Sequence, residues 1–213
     1  MVRKILSSAL LLALFALVGA TLVAATHQIT AERIAANHRE AILKRLDVLV
    51  AKQSYDNDLV SDTIQITDPE LATPKRPVTV YRARLGGKPV AAVFSVVAPD
   101  GYNGAINLLV AIDYDGTIAG VRVVSHRETP GLGDSIDEQR SDWILSFSGK
   151  SLTNPDEQGW HVKRDGGVFD QFTGATITPR AVVKAVFRTL RYYSRHREEI
   201  FTAPAIPLEP HHE

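Results

Sequence analysis

The sequence contains no cysteine, and this absence excludes a set of redox and metal chemistries. Without thiols the chain has no disulfides, no thiolate zinc site, no iron–sulfur cluster and no cysteine nucleophile. The chain also lacks an excess of either charge, because 24 Lys and Arg residues balance 24 Asp and Glu residues. A balanced charge gives no indication of a nucleic-acid partner. Any electron chemistry must therefore depend on an organic cofactor or on nitrogen and oxygen ligands.

Charged side chains are missing from residues 5–26, which are rich in Leu, Ala and Val. A helix of this length extends about 33 Å, enough to cross a hydrocarbon core of about 30 Å. We predict a single transmembrane helix over 5–26, with residues 1–4 in the cytoplasm because Arg3 and Lys4 precede the span. A cleaved signal peptide is the alternative, since small residues near the end of the stretch resemble a cleavage site. Both interpretations export the rest of the chain.

Residues 27–77 are expected to form a stalk helix and a connection. From 31 to about 52, apolar residues recur at spacings of three and four, which is typical of an amphipathic helix. Residues 53–77 are rich in Asp, Asn and Pro, which predicts a segment without regular structure.

Residues 78–200 are expected to form an α+β domain, an antiparallel sheet of hairpins packed with helices. Glycine-containing turns separate paired β-branched runs that predict two hairpins, with strands at 78–85, 90–98, 105–112 and 117–125. A final helix is predicted over 179–195, with Thr178 as its N-cap and Pro179 at its first position. The proline-rich residues 201–213 are expected to be a flexible tail.

The segment before that helix combines a glycine turn with three threonines, Thr173, Thr176 and Thr178. The N-terminus of a helix presents unpaired N–H groups and a partial positive charge, which favour a phosphate. The small Gly174 and Ala175 would allow a ligand to approach Thr176. The residues alone therefore indicate either an anion site near Thr176 or a set of local capping residues around a turn.

The pattern Asp170-x-x-Thr173-Gly174-Ala175-Thr176 resembles the flavinylation motif of FMN-binding domains. These domains occur in the G subunit of Rnf electron-transport complexes and in the C subunit of sodium-translocating NADH:quinone reductases. The resemblance implies that a flavin transferase attaches FMN covalently to Thr176 through a phosphodiester bond. It also implies that Asp170, Thr173, Gly174 and Ala175 are recognition and phosphate-site positions.

Two further segments resemble the same family, namely Gly101-Tyr102-Asn103-Gly104 and the loop 126–133. The resemblance implies that this loop lies against the flavin, with Glu128, Thr129 and Leu132 in contact with the isoalloxazine ring. A tight turn would account equally well for the Thr-Pro-Gly sequence within the loop. No second histidine lies at ligand spacing from His126, so we expect no metal site. The compact length is more similar to the G subunit than to its quinone-reductase relative.

The resemblance implies an electron-relay subunit of a membrane-bound, ion-translocating oxidoreductase complex. Such a complex transfers electrons between NADH and ferredoxin and couples this transfer to Na⁺ or H⁺ transport. The chain would be anchored in a bacterial inner membrane, with its main domain on the periplasmic side and other membrane subunits as partners. It would be an electron carrier without catalytic residues of its own.

Three other functions compete with the relay. The first is a C-type subunit of the quinone reductase or a free-standing FMN-domain reductase. The second is a membrane-anchored ligand-binding or assembly module in which Thr176 is unmodified. The third is a hydrolase, which we exclude because the sequence has no Gly-x-Ser-x-Gly motif and no paired metal ligands.

Overall fold

A computed structural model describes residues 2–71 and 77–206. The described residues belong to two compact units, a helical one that ends at Ile42 and a larger one that begins at Leu43. Their elements follow the order α1, β1 to β5 and α2, with short 3₁₀ helices between them.

Helix α1 is Val2–Asp47 and contains the apolar stretch identified in the sequence. Its part Ile5–His27 is 23 residues long and is long and apolar enough to cross a membrane. This agrees with the predicted span. The stalk helix, predicted to reach about residue 52, ends earlier, at Asp47, and the short 3₁₀ helix Lys52–Ser54 follows.

The larger unit is built on one antiparallel sheet of five strands in the order β1-β2-β3-β4-β5. The strands are β1 Thr63–Ile66, β2 Val78–Leu85, β3 Lys88–Ala98, β4 Ile106–Asp113 and β5 Ile118–Ser125. Both predicted hairpins are confirmed. Their turns depend on glycines with positive φ, Gly86 at 58°, Gly87 at 76° and Gly116 at 95°.

The outer strand β1 lies within the segment that was predicted to lack regular structure. It pairs antiparallel with β2, from Thr63 opposite Tyr81 to Ile66 opposite Val78. Its four residues, Thr-Ile-Gln-Ile, alternate polar and apolar side chains, but the run is short and lies among Asp, Asn and Pro residues, which favoured an irregular segment.

Residues 201–206, which were assigned to a flexible tail, are held against the sheet. Phe201 still belongs to α2, and the Ile206 N–H donates to the Thr63 carbonyl at 2.7 Å. The remaining tail residues, 207–213, lie outside the described residues.

Helix α2, Ile177–Thr202, packs against strands β3 and β4. Its predicted apolar stripe is buried at Val183, Val186 and Leu190 and half-buried at Phe187. The Tyr193 ring meets the ring of Phe94 on β3 edge-on, with centroids 6.1 Å apart. This packing fixes the first turn of α2 against the loops that follow β3 and β5, where the candidate site lies.

Candidate functional site

A cavity of about 300 Å³ lies at the N-terminal end of α2, where three separate parts of the chain meet. Its lining residues are Tyr102, Glu128, Thr129, Leu132, Gly133, Gly174, Ala175, Thr176, Ile177 and Thr178. The lining includes six of the eight residues that the motifs singled out. Asp170 and Thr173 are not among the lining residues.

The turn before α2 is shaped by Gly174. Its φ of 82° lies in the left-handed region, which side chains of L residues rarely adopt. A Cβ at this position would also lie 3.1 Å from Leu132 Cδ2. The Ala175 N–H closes the turn by donating to the Phe172 carbonyl at 3.3 Å. Glycine therefore allows the turn to bend and the loop that carries Leu132 to come close.

Helix α2 begins two residues earlier than predicted, with Thr176 as its N-cap. Thr178 lies inside the first turn, and Pro179 is at the third helical position rather than the first. A proline is harmless there as well, because the first N–H groups of a helix have no intrahelical partner. The prediction of Thr178 as the N-cap was wrong because its hydroxyl donates to the Glu128 carboxylate instead.

The three threonines of the segment have different surroundings. Thr178 is fully buried, and its hydroxyl is bonded to Glu128. Thr173 is exposed and lies outside the cavity lining. Thr176 is half-buried, lines the cavity and makes no capping hydrogen bond with its side chain. Among these three, Thr176 combines access to the cavity with a hydroxyl that does not cap the helix.

Glu128 is buried, with 4% of its surface exposed, and it joins the three parts of the chain. Its Oε1 accepts from the Asn103 N–H at 3.0 Å, and its Oε2 accepts from the Thr178 hydroxyl. Its own N–H donates to His126 Nδ1 at 3.1 Å. Each carboxylate oxygen already has a protein partner, so Glu128 supports the wall of the cavity.

Asp170 is exposed and lies outside the cavity lining. Its Oδ1 accepts from Lys163 Nζ at 2.6 Å, and its carbonyl accepts from Trp143 Nε1 at 2.8 Å. The Trp143 ring also meets the Phe172 ring edge-on, with centroids 5.1 Å apart. Trp143, which sequence reasoning did not assign to the site, therefore anchors the segment that leads to Thr176.

Two apolar residues at the cavity were also missed by sequence reasoning. Tyr102 is 66% exposed and Ile177 is 44% exposed, although large apolar side chains are usually buried. With Leu132, which is 42% exposed, they present apolar surface beside the Thr176 hydroxyl. Only the folded arrangement brings them together, since they lie far apart in the sequence.

The lining of the cavity has the chemistry of a site for a partly apolar ligand with an anionic group. Ligand sites of about 300–1,000 Å³ combine apolar walls with a few polar groups. Here the N–H groups of Ile177 and Thr178 belong to the first turn of α2, which favours an anion. Among the described residues, no group of three or more Asp, Glu or His side chains could hold a metal ion.

Comparison with known families identifies two regions of the chain. The model of the FMN-binding domain matches residues 101–191, which include every lining residue of the cavity. The model of the RnfG N-terminal region matches residues 1–49, which include the apolar part of α1. The resemblance drawn from the motifs is confirmed.

Curated relatives match over almost the whole chain, and each is named as the G subunit of an ion-translocating oxidoreductase complex. The protein of Pseudoalteromonas atlantica is 47% identical over 203 residues, 95% of this chain and 94% of the relative. The Pseudomonas aeruginosa protein is 50% identical over 198 residues, 93% of this chain and 92% of the relative. The Shewanella loihica protein is 46% identical over 205 residues, 96% of this chain and 97% of the relative. The chain therefore belongs to the family of G subunits of the ion-translocating oxidoreductase complex.

Proposed function

We propose that this chain is the electron-relay subunit of a membrane-bound, ion-translocating oxidoreductase complex, and that it carries FMN on Thr176 through a phosphodiester bond. Membership of the G-subunit family supports the place in the complex, and the matched FMN-binding domain supports the cofactor. The chain itself is an electron carrier, and the partners are the other membrane subunits.

The observation that carries the proposed attachment is the position of the Thr176 hydroxyl. It stands at the N-cap of α2, lines the cavity and makes no capping bond. A phosphate on this oxygen would adjoin the N–H groups of Ile177 and Thr178, which have no intrahelical partners. The Thr178 hydroxyl already donates to Glu128, and Thr173 lies outside the lining. These contacts favour Thr176 over both neighbouring threonines.

The residues of the cavity also fit the remainder of FMN. Leu132, Ile177 and Tyr102 would supply apolar contacts for the ring and would exclude water from one side of it. Gly174 and Ala175 keep the approach to the phosphate free of large side chains. When bound, FMN supplies the electron transfer, and the protein contributes its position and electrostatic surroundings.

The exposed positions of Asp170 and Thr173 fit a role in maturation. Both lie on the surface beside the turn that carries Thr176, where a flavin transferase would need to recognise the motif. Thr129 and Leu132 remain proposed ring contacts. Glu128 also lines the cavity, although both of its carboxylate oxygens are bonded within the protein.

We place the main domain on the periplasmic side of the bacterial inner membrane, anchored by Ile5–His27. Two basic residues precede this stretch, which favours a cytoplasmic N-terminus. A covalent tether suits this location, since a cofactor lost outside the cytoplasm would not be replaced there.

The attachment is tested by producing the full chain in cells that contain the flavin transferase. In a denaturing gel, the unaltered chain should give a fluorescent flavin band. Thr176→Val should abolish this band, whereas Thr176→Ser retains a hydroxyl and should keep at least part of it. Thr202→Val changes an exposed threonine at the other end of α2 and should leave the band intact.

Two outcomes would contradict the proposal. A band that survives in Thr176→Val would place the flavin on another residue. An unaltered chain without any band would favour the alternative of an anchored ligand-binding or assembly module. Circular dichroism of each variant checks that the loss of the band is not a loss of fold.

A further inference from the structure

Glu128 is a carboxylate in surroundings where a negative charge is costly. It is 4% exposed and lines the cavity beside the first turn of α2. In the part of the chain that the structure describes, no Lys, Arg or His side chain forms an ion pair with it. Buried carboxylates are usually paired with a cation or fully hydrogen-bonded, and Glu128 depends on hydrogen bonds without a cation.

The surrounding backbone leaves room for this carboxylate. A Cβ on Gly133 would lie 2.9 Å from Glu128 Cβ and 3.0 Å from Oε2. A Cβ on Gly101 would lie 3.0 Å from Oε1. Two glycines from different loops therefore enclose the group, which is held in one place.

The partners of Glu128 stabilise its charge but do not neutralise it. Its two oxygens accept hydrogen bonds from the Asn103 N–H and the Thr178 hydroxyl. The partial positive charge at the start of α2 is a further favourable contribution. Because these are dipoles and not a cation, a net negative charge remains beside the cavity.

We infer that Glu128 is a positioning residue whose fixed negative charge lowers the reduction potential of the cofactor held in this cavity. This inference rests on the proposed function, since it requires FMN in the cavity. Reduction adds electron density to the flavin ring, and a nearby negative charge in a region of low dielectric opposes this addition. The carboxylate thus acts through space and keeps the bound FMN a stronger reductant than it would be beside a neutral group.

Glu128→Gln is the decisive variant, since it removes the charge and preserves the shape. The glutamine oxygen can accept from Asn103, and its amide can donate to the Thr178 hydroxyl, so both contacts are retained. The full chain with covalent FMN is titrated with dithionite, which supplies the two electrons. At a fixed potential we expect about a tenfold higher ratio of reduced to oxidised FMN, equal to a rise of about 30 mV for a two-electron couple.

Asp165→Asn is the matched control. Asp165 is an exposed carboxylate that accepts from Arg180 in the first turn of α2, at 2.6 Å from its Nε. Solvent screens an exposed charge of this kind. The control should therefore leave the midpoint potential unchanged, although it also converts a carboxylate near the helix start into an amide.

Thr178→Val tests the same idea independently and remains informative if Glu128→Gln fails to fold. This variant keeps the Glu128 carboxylate but removes the hydrogen bond from the Thr178 hydroxyl. With one dipole fewer to offset its negative charge, the carboxylate should lower the ratio of reduced to oxidised FMN about threefold. An unchanged ratio in Thr178→Val would overturn the inference, as would an unchanged potential in folded Glu128→Gln.

The two proposals fail in different ways. If the unaltered chain contains no covalent flavin, the proposed function fails before any titration is made. If flavin is present on Thr176 but its potential is the same in Glu128→Gln, the attachment stands and the role of Glu128 is refuted.

Discussion

Replacing Arg82 with methionine should destabilise the domain far more than a change at the neighbouring Arg84. Arg82 lies on β2 and is only 2% exposed. Its Nη1 donates to the carbonyls of Ile200 at 2.9 Å and Ala203 at 2.6 Å, at the C-terminal end of α2. Its Nη2 forms an ion pair with Asp62. Arg82 therefore ties the end of the helix to the sheet, as does the more exposed Arg84, whose Nη2 donates to the Phe201 carbonyl at 2.7 Å.

The expected magnitude follows from what Arg82→Met leaves behind. Two carbonyls at the end of α2 lose a charged donor. Asp62 keeps Arg84 as an ion-pair partner, because Arg84 Nε lies 2.8 Å from Asp62 Oδ2. Because Asp62 keeps a partner, the loss comes mainly from the two carbonyls, and each buried acceptor left without a donor costs about 1–3 kcal/mol, so Arg82→Met should lower the free energy of unfolding by about 2–6 kcal/mol. For a domain of this size, each kcal/mol lowers the melting temperature by about 2–4 °C. Arg84 is 19% exposed, and Arg84→Met should cost about 1–2 kcal/mol.

Tryptophan fluorescence is a suitable assay because both tryptophans of the chain, Trp143 and Trp160, lie in the large unit. Thermal unfolding in detergent then reports this unit without a signal from the apolar helix. A melting temperature in Arg82→Met that falls no further than in Arg84→Met would refute the argument that burial makes Arg82 the stronger tie.

Two further predictions concern a turn and a tyrosine. Gly174→Ala should lower the free energy of unfolding by about 1–3 kcal/mol, because φ is 82° at this position. The added Cβ would also crowd Leu132, so the FMN content of the purified chain should fall. Full FMN loading with unchanged stability would contradict this prediction. Burial and the hydrogen bond to Asp47 raise the pKa of Tyr55 from 10.0 to about 12. The protonated Tyr55 therefore stabilises the fold fully below pH 10, and this stabilisation is lost as the pH rises towards 12. Asp47→Asn should lower the tyrosinate midpoint in an ultraviolet pH titration, with Tyr55→Phe as the baseline; an unmoved midpoint would show that the hydrogen bond is unimportant.

The central hairpins could be predicted because their signals are local. β2 and β3 meet at Gly86 and Gly87, and runs that contain several β-branched residues lie before and after this turn. Strand β1 could not be predicted in this way, since it is a strand only through its pairing with β2. The same is true of Ile206, whose order depends on a bond to Thr63.

The start of α2 shows why the local rules failed at the site. Thr178 followed by Pro179 satisfies the usual pattern of an N-cap and a first helical residue. In the folded chain the Thr178 hydroxyl instead bonds to Glu128, which is 50 residues away in the sequence. The helix therefore begins at the residue after Thr176, and the threonine of the motif becomes the cap.

The motifs located the site but did not predict the role of each residue within it. Thr176 and Leu132 line the cavity, whereas Asp170 pairs with Lys163 on the surface. The sequence places Tyr102 within a motif but predicts no role for it, and no motif includes Ile177. Their contribution comes from exposed apolar surface, which is visible only after folding.

Peptide mapping of the chain isolated from its native complex tests the central claim most directly. Trypsin should release residues 165–180, between Arg164 and Arg180, and this peptide contains Thr173, Thr176 and Thr178. Fragmentation in the mass spectrometer assigns any added mass to one of the three. We predict FMN, joined through its phosphate, on Thr176. An unmodified peptide, or FMN on Thr173 or Thr178, would contradict the account.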